Sequence, residues 1–155
     1  MKIPYVDLSY KNKSKKELIK VFKKVLDKGQ FVGGDEIDLF EKKIAKLCGT
    51  NYAVALNSGT DALTLALHLL GVRKGDEVIT PPNSFIASTA VIVHLGAKPV
   101  FVDVLSDQNI DPNEIQSAIT KKTKVIMPVH LSGRMSQMDK IMSIAKKNKI
   151  LVVED

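Results

Sequence analysis

The chain has 155 residues, 45% of them hydrophobic and 26% charged, and this near-average composition excludes a disordered chain. A single cysteine, Cys48, excludes an intrachain disulfide framework. The longest apolar stretch, residues 85–97, is interrupted by polar side chains and is shorter than the roughly 20 apolar residues of a membrane span. Because the first residues contain no apolar run between their charges, we expect no signal peptide and a cytoplasmic location.

The formal net charge of +6 raises the question of a nucleic-acid partner. Among the 23 basic residues only Arg73 and Arg134 are arginines, whereas base readout and bidentate phosphate binding favour the planar guanidinium group. The densest lysine run, residues 11–24, lies on the polar side of a predicted amphipathic helix. We therefore expect a lysine-rich solvated surface, with neither a nucleic acid nor a membrane as partner.

Two amphipathic helices are predicted at the start of the chain. Ser14 and Glu17 have the spacing of a capping box, which predicts the start of the first helix. A glycine-marked loop, residues 30–34, precedes the second helix, whose apolar residues recur at helical spacing. These elements predict an N-terminal helical segment over residues 1–50, ahead of a domain over residues 51–155.

In that domain, short apolar segments alternate with predicted helices. The predicted strands are residues 52–56, 77–80, 98–102, 125–129 and 150–153. The predicted helices between them are residues 59–70, 85–95, a helix opened by Asp111 and Pro112, and residues 137–147. Apolar strands separated by helices are typical of a parallel sheet covered on both faces. The pattern therefore predicts an α/β fold, a three-layer αβα sandwich with a mostly parallel sheet, whose ligand site lies at the carboxyl ends of the strands.

A short polar segment, residues 57–61, lies between the first predicted strand and its helix. Its small and hydroxyl residues leave backbone N–H groups free beside the positive end of the helix dipole. The segment therefore predicts either an anion site, above all for phosphate, or an ordinary N-cap. The glycine fingerprints of dinucleotide-binding and P-loop proteins are absent from the sequence.

Three more side chains follow predicted strands. Phe85 is either a stacking platform or, more commonly at such a position, a core residue that begins a buried helix. Asp155 either pairs with a heterocyclic nitrogen of a cofactor or caps a following helix. His130 more often makes local contacts than faces a ligand. No set of His, Cys and carboxylate side chains has the spacing of metal ligands, so no metal is expected.

A series of motifs stands in order along the chain. They are NSGTDAL (57–63), GDEVIT (75–80), GAKPVFVD (96–103), DP (111–112), TKVIMPVHL (123–131) and VVED (152–155), preceded by IPYVDL (3–8) and FVGG (31–34). Together they resemble the DegT/DnrJ/EryC1/StrS family of pyridoxal-phosphate sugar aminotransferases, which belongs to the aspartate aminotransferase superfamily of fold type I. The resemblance implies that the chain is an incomplete large domain of a fold type I enzyme.

The resemblance also implies roles for individual residues toward pyridoxal 5'-phosphate (PLP). Phe85 matches the aromatic residue that stacks on the pyridine ring, and Asp155 matches the carboxylate that pairs with the protonated ring nitrogen. That pairing keeps the ring an electron sink. The cofactor phosphate is held by the residues that match Gly59, Thr60 and Asp61. On the sugar side of the site lie the residues that match Tyr5 and Phe31.

The family reaction moves an amino group from glutamate or glutamine to a keto group of a nucleotide-linked sugar, in an enzyme that is commonly a homodimer. No lysine of this sequence matches the family's Schiff-base lysine, which anchors the cofactor and carries protons. The resemblance therefore predicts that the 155-residue chain is the front part of a larger enzyme and is inactive alone. Alternatives are a noncatalytic binding or assembly module and a sugar dehydratase of the same family, in which a histidine replaces the lysine.

Overall fold

The computed structural model describes residues 12–155, which form two compact units divided between Ala55 and Leu56. The helices are α1 (Asn12–Lys28), α2 (Asp35–Cys48), α3 (Gly59–Leu69), α4 (Ile86–His94), α5 (Pro112–Ala118) and α6 (Met138–Asn148). The strands are β1 (Glu77–Thr80), β2 (Lys98–Phe101), β3 (Thr123–Ile126) and β4 (Leu151–Val152). Within the described residues, every helix is too short or too polar to cross a membrane.

The first unit contains the two predicted amphipathic helices. Helix α1 begins at Asn12, so Ser14 lies inside its first turn and is not the N-cap, contrary to the capping-box prediction. Serine is tolerated in a helix at small cost, which lets the helix extend past the predicted start. The Lys28 ammonium lies 2.8 Å from Glu36 Oε1 at the start of α2. This hydrogen bond raises the pKa of Lys28 and lowers the pKa of Glu36.

The second unit is built on a parallel four-stranded sheet with the order β2-β1-β3-β4. Ile79 of β1 is in register with Val100 of β2 on one side and with Ile126 of β3 on the other. Ile126 in turn pairs with Val152 of β4. The mostly parallel sheet expected from the alternating apolar segments is therefore confirmed.

Helices cover both faces of this sheet. Successive side chains of a strand point to opposite faces, so neighbouring residues enter different cores. One core joins the sheet to α3 and α4 and includes Leu67, Val78, Val91 and Val125. The other joins the sheet to α5 and α6 and includes Ile79, Ile115, Ile126 and Ile141. The predicted three-layer αβα arrangement is therefore confirmed in this unit.

The prediction of a strand over residues 52–56 is wrong for this structure. Tyr52 and Val54 are 86% and 75% exposed, and no strand among residues 12–155 pairs with this segment. An apolar segment becomes a strand only when a neighbouring strand accepts and donates its backbone hydrogen bonds. Here the Ala55 N–H donates instead to the Glu41 carboxylate, at 2.7 Å.

Candidate functional site

Backbone pairing between the third and fourth strands continues past their formal ends. The Asp155 N–H donates to the Pro128 carbonyl at 3.0 Å, and the His130 N–H donates to the Asp155 carbonyl at 2.9 Å. Parallel strands share one carboxyl edge, where open α/β sheets bind their ligands. These two hydrogen bonds fix the backbone of Asp155 at that edge.

A cavity of about 250 Å³ lies beside Asp155, where the first turns of α3 and α4 meet the carboxyl edge of the sheet. Its walls are formed by Gly59, Thr60, Leu63, Phe85, Ala87, Ser88 and Asp155. The fold thus brings together four of the five residues predicted to hold a cofactor. The fifth, Asp61, does not line the cavity.

The start of α3 confirms the N-cap, which is one of the two alternatives that the polar segment left open. Ser58 is the N-cap, and its hydroxyl accepts a hydrogen bond from the Asp61 N–H at 3.1 Å. Gly59 and Thr60 occupy the first helical positions, whose N–H groups have no acceptor within the helix, and both line the cavity. A Cβ at Gly59 would meet no atom within 4 Å, so the space beside it is open. The first turn therefore has two N–H donors without a helical acceptor beside the positive end of the helix dipole, and an anion site here stays a prediction.

Phe85 is the N-cap residue of α4, and its backbone is extended. Its side chain is 76% exposed, so the residue does not belong to the core. The interpretation of Phe85 as a core residue that begins a buried helix is therefore wrong, because the burial of α4 begins one turn later at Ser88. An aromatic face at the cavity wall can pack against a planar ligand.

Ser88 is a site residue that the sequence did not single out. Its side chain is 2% exposed, and its hydroxyl donates to Asp155 Oδ2 at 2.5 Å. The available signal was its position three residues after Phe85, which places both on the same side of the first helical turn. Thr89 and His94 are also polar residues of this helix, so residue type alone did not single out Ser88.

His130 makes local contacts, as the sequence favoured. The Ser136 N–H donates to His130 Nδ1 at 3.2 Å, and Nε2 lies 2.9 Å from Glu154 Oε2. Because Nδ1 is the acceptor, the proton of a neutral ring is on Nε2 and is donated to Glu154. His130 does not line the cavity. Its ring connects the loop after β3 to the end of the β4 segment.

Two further residues, Phe31 and Tyr5, were predicted on the sugar side of the site. Phe31 is an exposed residue of the loop between α1 and α2 in the first compact unit. Tyr5 lies outside the residues that the structure describes. Their role toward a sugar stays a prediction.

The cavity of this three-layer α/β domain is lined by a helix N-terminus, an aromatic side chain and a carboxylate. This combination suits an aromatic, phosphate-bearing ligand. Residues 12–155 match the DegT/DnrJ/EryC1/StrS aminotransferase family, and the chain belongs to this family. It is 43% identical over 155 residues to the dTDP-3-amino-3,6-dideoxy-alpha-D-galactopyranose transaminase of Aneurinibacillus thermoaerophilus. It is 38% identical over 156 residues to the dTDP-3-amino-3,4,6-trideoxy-alpha-D-glucose transaminase of Streptomyces venezuelae.

These alignments cover 99% of the chain but only 43% and 41% of the two relatives. Solved structures agree with the family assignment. The NtdA structure from Bacillus subtilis, with bound cofactor PMP (pyridoxamine 5'-phosphate), superposes with a TM-score of 0.93 at 37% identity, over 99% of this chain and 36% of NtdA. A DegT/DnrJ/EryC1/StrS aminotransferase from Brucella abortus also gives a TM-score of 0.93, at 31% identity, over 99% of this chain and 44% of the other. The fold is thus that of part of the large domain of fold type I aminotransferases.

Proposed function

We propose that the protein is a PLP-dependent aminotransferase that moves an amino group from glutamate or glutamine to the keto group of a nucleotide-linked sugar. The observation that carries the proposal is the single cavity lined by Gly59, Thr60, Phe85 and Asp155. The names of the relatives, which are dTDP-sugar transaminases, support the substrate class. Because the chain spans less than half of those relatives, the proposal concerns the activity of the whole protein.

The residues around the cavity fit the three chemical parts of this cofactor. The N–H groups of Gly59 and Thr60 match a phosphate, the exposed face of Phe85 matches a pyridine ring, and the Asp155 carboxylate matches a protonated ring nitrogen. When bound, the cofactor supplies an electron sink for the substrate carbon that exchanges its proton. The contribution of Asp155 is to hold the proton on the ring nitrogen, since an anion within hydrogen-bonding distance favours the cationic ring.

The cavity contains no lysine among the described residues that line it. We therefore propose that a polypeptide limited to residues 1–155 binds the cofactor without a covalent bond and does not catalyse transamination. Exposed apolar side chains on α1 and α2, including Phe22 and Phe40, support the further proposal that the whole protein is a homodimer. Light scattering of the full-length protein tests the dimer directly.

The reaction is tested by incubating the full-length protein with PLP, glutamate and a nucleotide-linked 3-keto sugar. Mass spectrometry then measures the amino sugar, and a coupled assay measures 2-oxoglutarate. We expect both products in equal amounts. Glutamine is tested in parallel as the alternative amino donor. Absence of amination with dTDP-, UDP- and GDP-linked keto sugars would contradict the proposal. Loss of a sugar hydroxyl without gain of nitrogen would identify a dehydratase instead.

A further inference from the structure

We infer that Ser88 is a positioning residue for Asp155, in that its hydroxyl holds one carboxylate oxygen and so orients the carboxylate toward the cofactor nitrogen. The inference rests on the proposed function and deepens it. Its basis is a hydrogen bond from a 2% exposed side chain on α4 to a carboxylate at the tip of the sheet, with both residues lining the same cavity.

The direction of the Ser88 hydroxyl distinguishes it from the helical hydroxyls of Thr64 and Ser117. The Thr64 hydroxyl donates to the Thr60 carbonyl at 2.8 Å, and the Ser117 hydroxyl donates to the Glu114 carbonyl at 2.7 Å. Such bonds to the preceding turn are the usual way in which a helical Ser or Thr satisfies its proton. Ser88 instead donates across 67 residues of sequence to Asp155.

The Asp155 side chain depends on this contact for its orientation. Within residues 12–155 the Ser88 hydroxyl is the donor that contacts the carboxylate, and it occupies Oδ2. Oδ1 is left to accept a second hydrogen bond. One carboxylate oxygen is therefore fixed by the protein, and the other is available for a ring N–H.

The orientation of the carboxylate also has an electrostatic consequence. An anion held within hydrogen-bonding distance of a pyridine nitrogen favours the protonated ring. Without the Ser88 hydroxyl the carboxylate is no longer held toward the ring nitrogen, which weakens the cationic character of the ring.

The test uses full-length protein and PMP labelled with ¹⁵N in the pyridine ring, a probe that needs no bond to a lysine. The ¹⁵N chemical shift measures protonation of the bound ring nitrogen, and fluorescence titration measures the Kd. For Ser88→Ala we expect a shift toward the unprotonated value and a Kd about tenfold weaker, as befits a lost hydrogen bond to a charged group. Ser88→Thr keeps the hydroxyl and is expected to bind within about twofold of wild type.

Two further variants separate positioning from folding. Ser143→Ala makes the same chemical change on an exposed position of α6 outside the cavity, and we expect neither readout to move. Ser88→Cys has a similar size but a weak donor, and it replaces Ser88→Ala if the alanine variant does not fold. Thermal unfolding of each variant is measured in parallel.

The outcomes are distinguishable. If wild type binds PMP with a protonated ring nitrogen and both donor-deficient variants give the same ¹⁵N shift and Kd, the inference about Ser88 is wrong while the proposed function stands. A lower melting temperature with an unchanged ¹⁵N shift would likewise reduce Ser88 to a structural contact. If wild type itself does not bind PMP, the proposed function fails, and the inference fails with it.

Discussion

Phe85 combines high exposure with a position on the cavity wall, so binding and stability respond differently to its loss. Phe85→Ala is expected to change the free energy of unfolding by less than about 0.5 kcal/mol, since an exposed side chain contributes little to the fold. The same change should weaken PMP binding roughly three- to tenfold through loss of aromatic packing. Urea unfolding and fluorescence titration measure the two quantities, with Phe85→Tyr as the control that keeps the ring. If Phe85→Ala lowers the free energy of unfolding by about 2 kcal/mol or more and leaves the affinity for PMP unchanged, the interpretation of Phe85 as a core residue is supported.

Asp155 is predicted to act through its charge. Asp155→Asn keeps the size of the side chain but removes the anion, so we expect kcat of the full-length enzyme to fall by about 100-fold or more. The Kd for PMP should rise at least as much as in Ser88→Ala, but PMP should still bind at saturating concentration, because the contacts of Gly59, Thr60 and Phe85 do not depend on that charge. The matched control is Glu154→Gln, the same chemical change on the neighbouring residue, which contacts His130 and not the cavity. An Asp155→Asn enzyme that keeps half of its turnover would contradict the role.

Position after a predicted strand drew attention to the segment 57–61, to Phe85 and to Asp155, since strand ends meet at one edge. Their individual roles toward the cofactor came from the resemblance to the family. The sequence did not nominate Ser88, because the importance of that hydroxyl comes from a contact with a residue 67 positions away. It also left Phe85 open between core and site, since exposure depends on how α4 packs. Residue type and local spacing therefore indicate which groups lie at the carboxyl edge of the sheet. Their hydrogen-bond partners can be identified only from the three-dimensional structure.

At the scale of elements, the start of α3 depends on its cap. Ser58→Ala removes the acceptor of the Asp61 N–H and is expected to destabilise the protein by about 1 kcal/mol, whereas Ser58→Asn, which can still cap, should cost only a few tenths. PMP affinity should change little, because the N–H groups of Gly59 and Thr60 remain. Urea unfolding and PMP titration are again the measurements. Normal stability together with lost PMP binding would show that the Ser58 hydroxyl contacts the phosphate itself.

The helices of the second unit were predictable where local signals agreed. Asp111, followed by a proline, caps α5 as its sequence indicates, with its side chain accepting from the Asn113 N–H at 2.8 Å. The segment over residues 52–56 has an apolar pattern as clear as that of β1, yet it is not a strand. A helix makes its hydrogen bonds within itself, whereas a strand needs a neighbour, so strand formation cannot be derived from local pattern alone.

At the scale of the whole second unit, one sheet separates two cores. Alternate residues of β1 and β3 enter opposite sides, with Val78 and Val125 toward α3 and α4, and Ile79 and Ile126 toward α5 and α6. Since both cores share the same strands, neither can be disordered without removing half of the packing from those strands. We therefore expect the two faces to unfold together.

Cooperativity between the faces is tested by a cavity-forming substitution on each. Leu67 of α3 and Ile141 of α6 are fully buried on opposite sides of the sheet. Leu67→Ala and Ile141→Ala are each expected to lower the free energy of unfolding by about 2–5 kcal/mol, with one urea transition and an unchanged slope. Leu69→Ala, on the same helix but 80% exposed, is the matched control and should cost less than about 0.5 kcal/mol. Two separate transitions in either buried variant would show that the layers are independently stable, because only then could one core open while the shared strands stay paired.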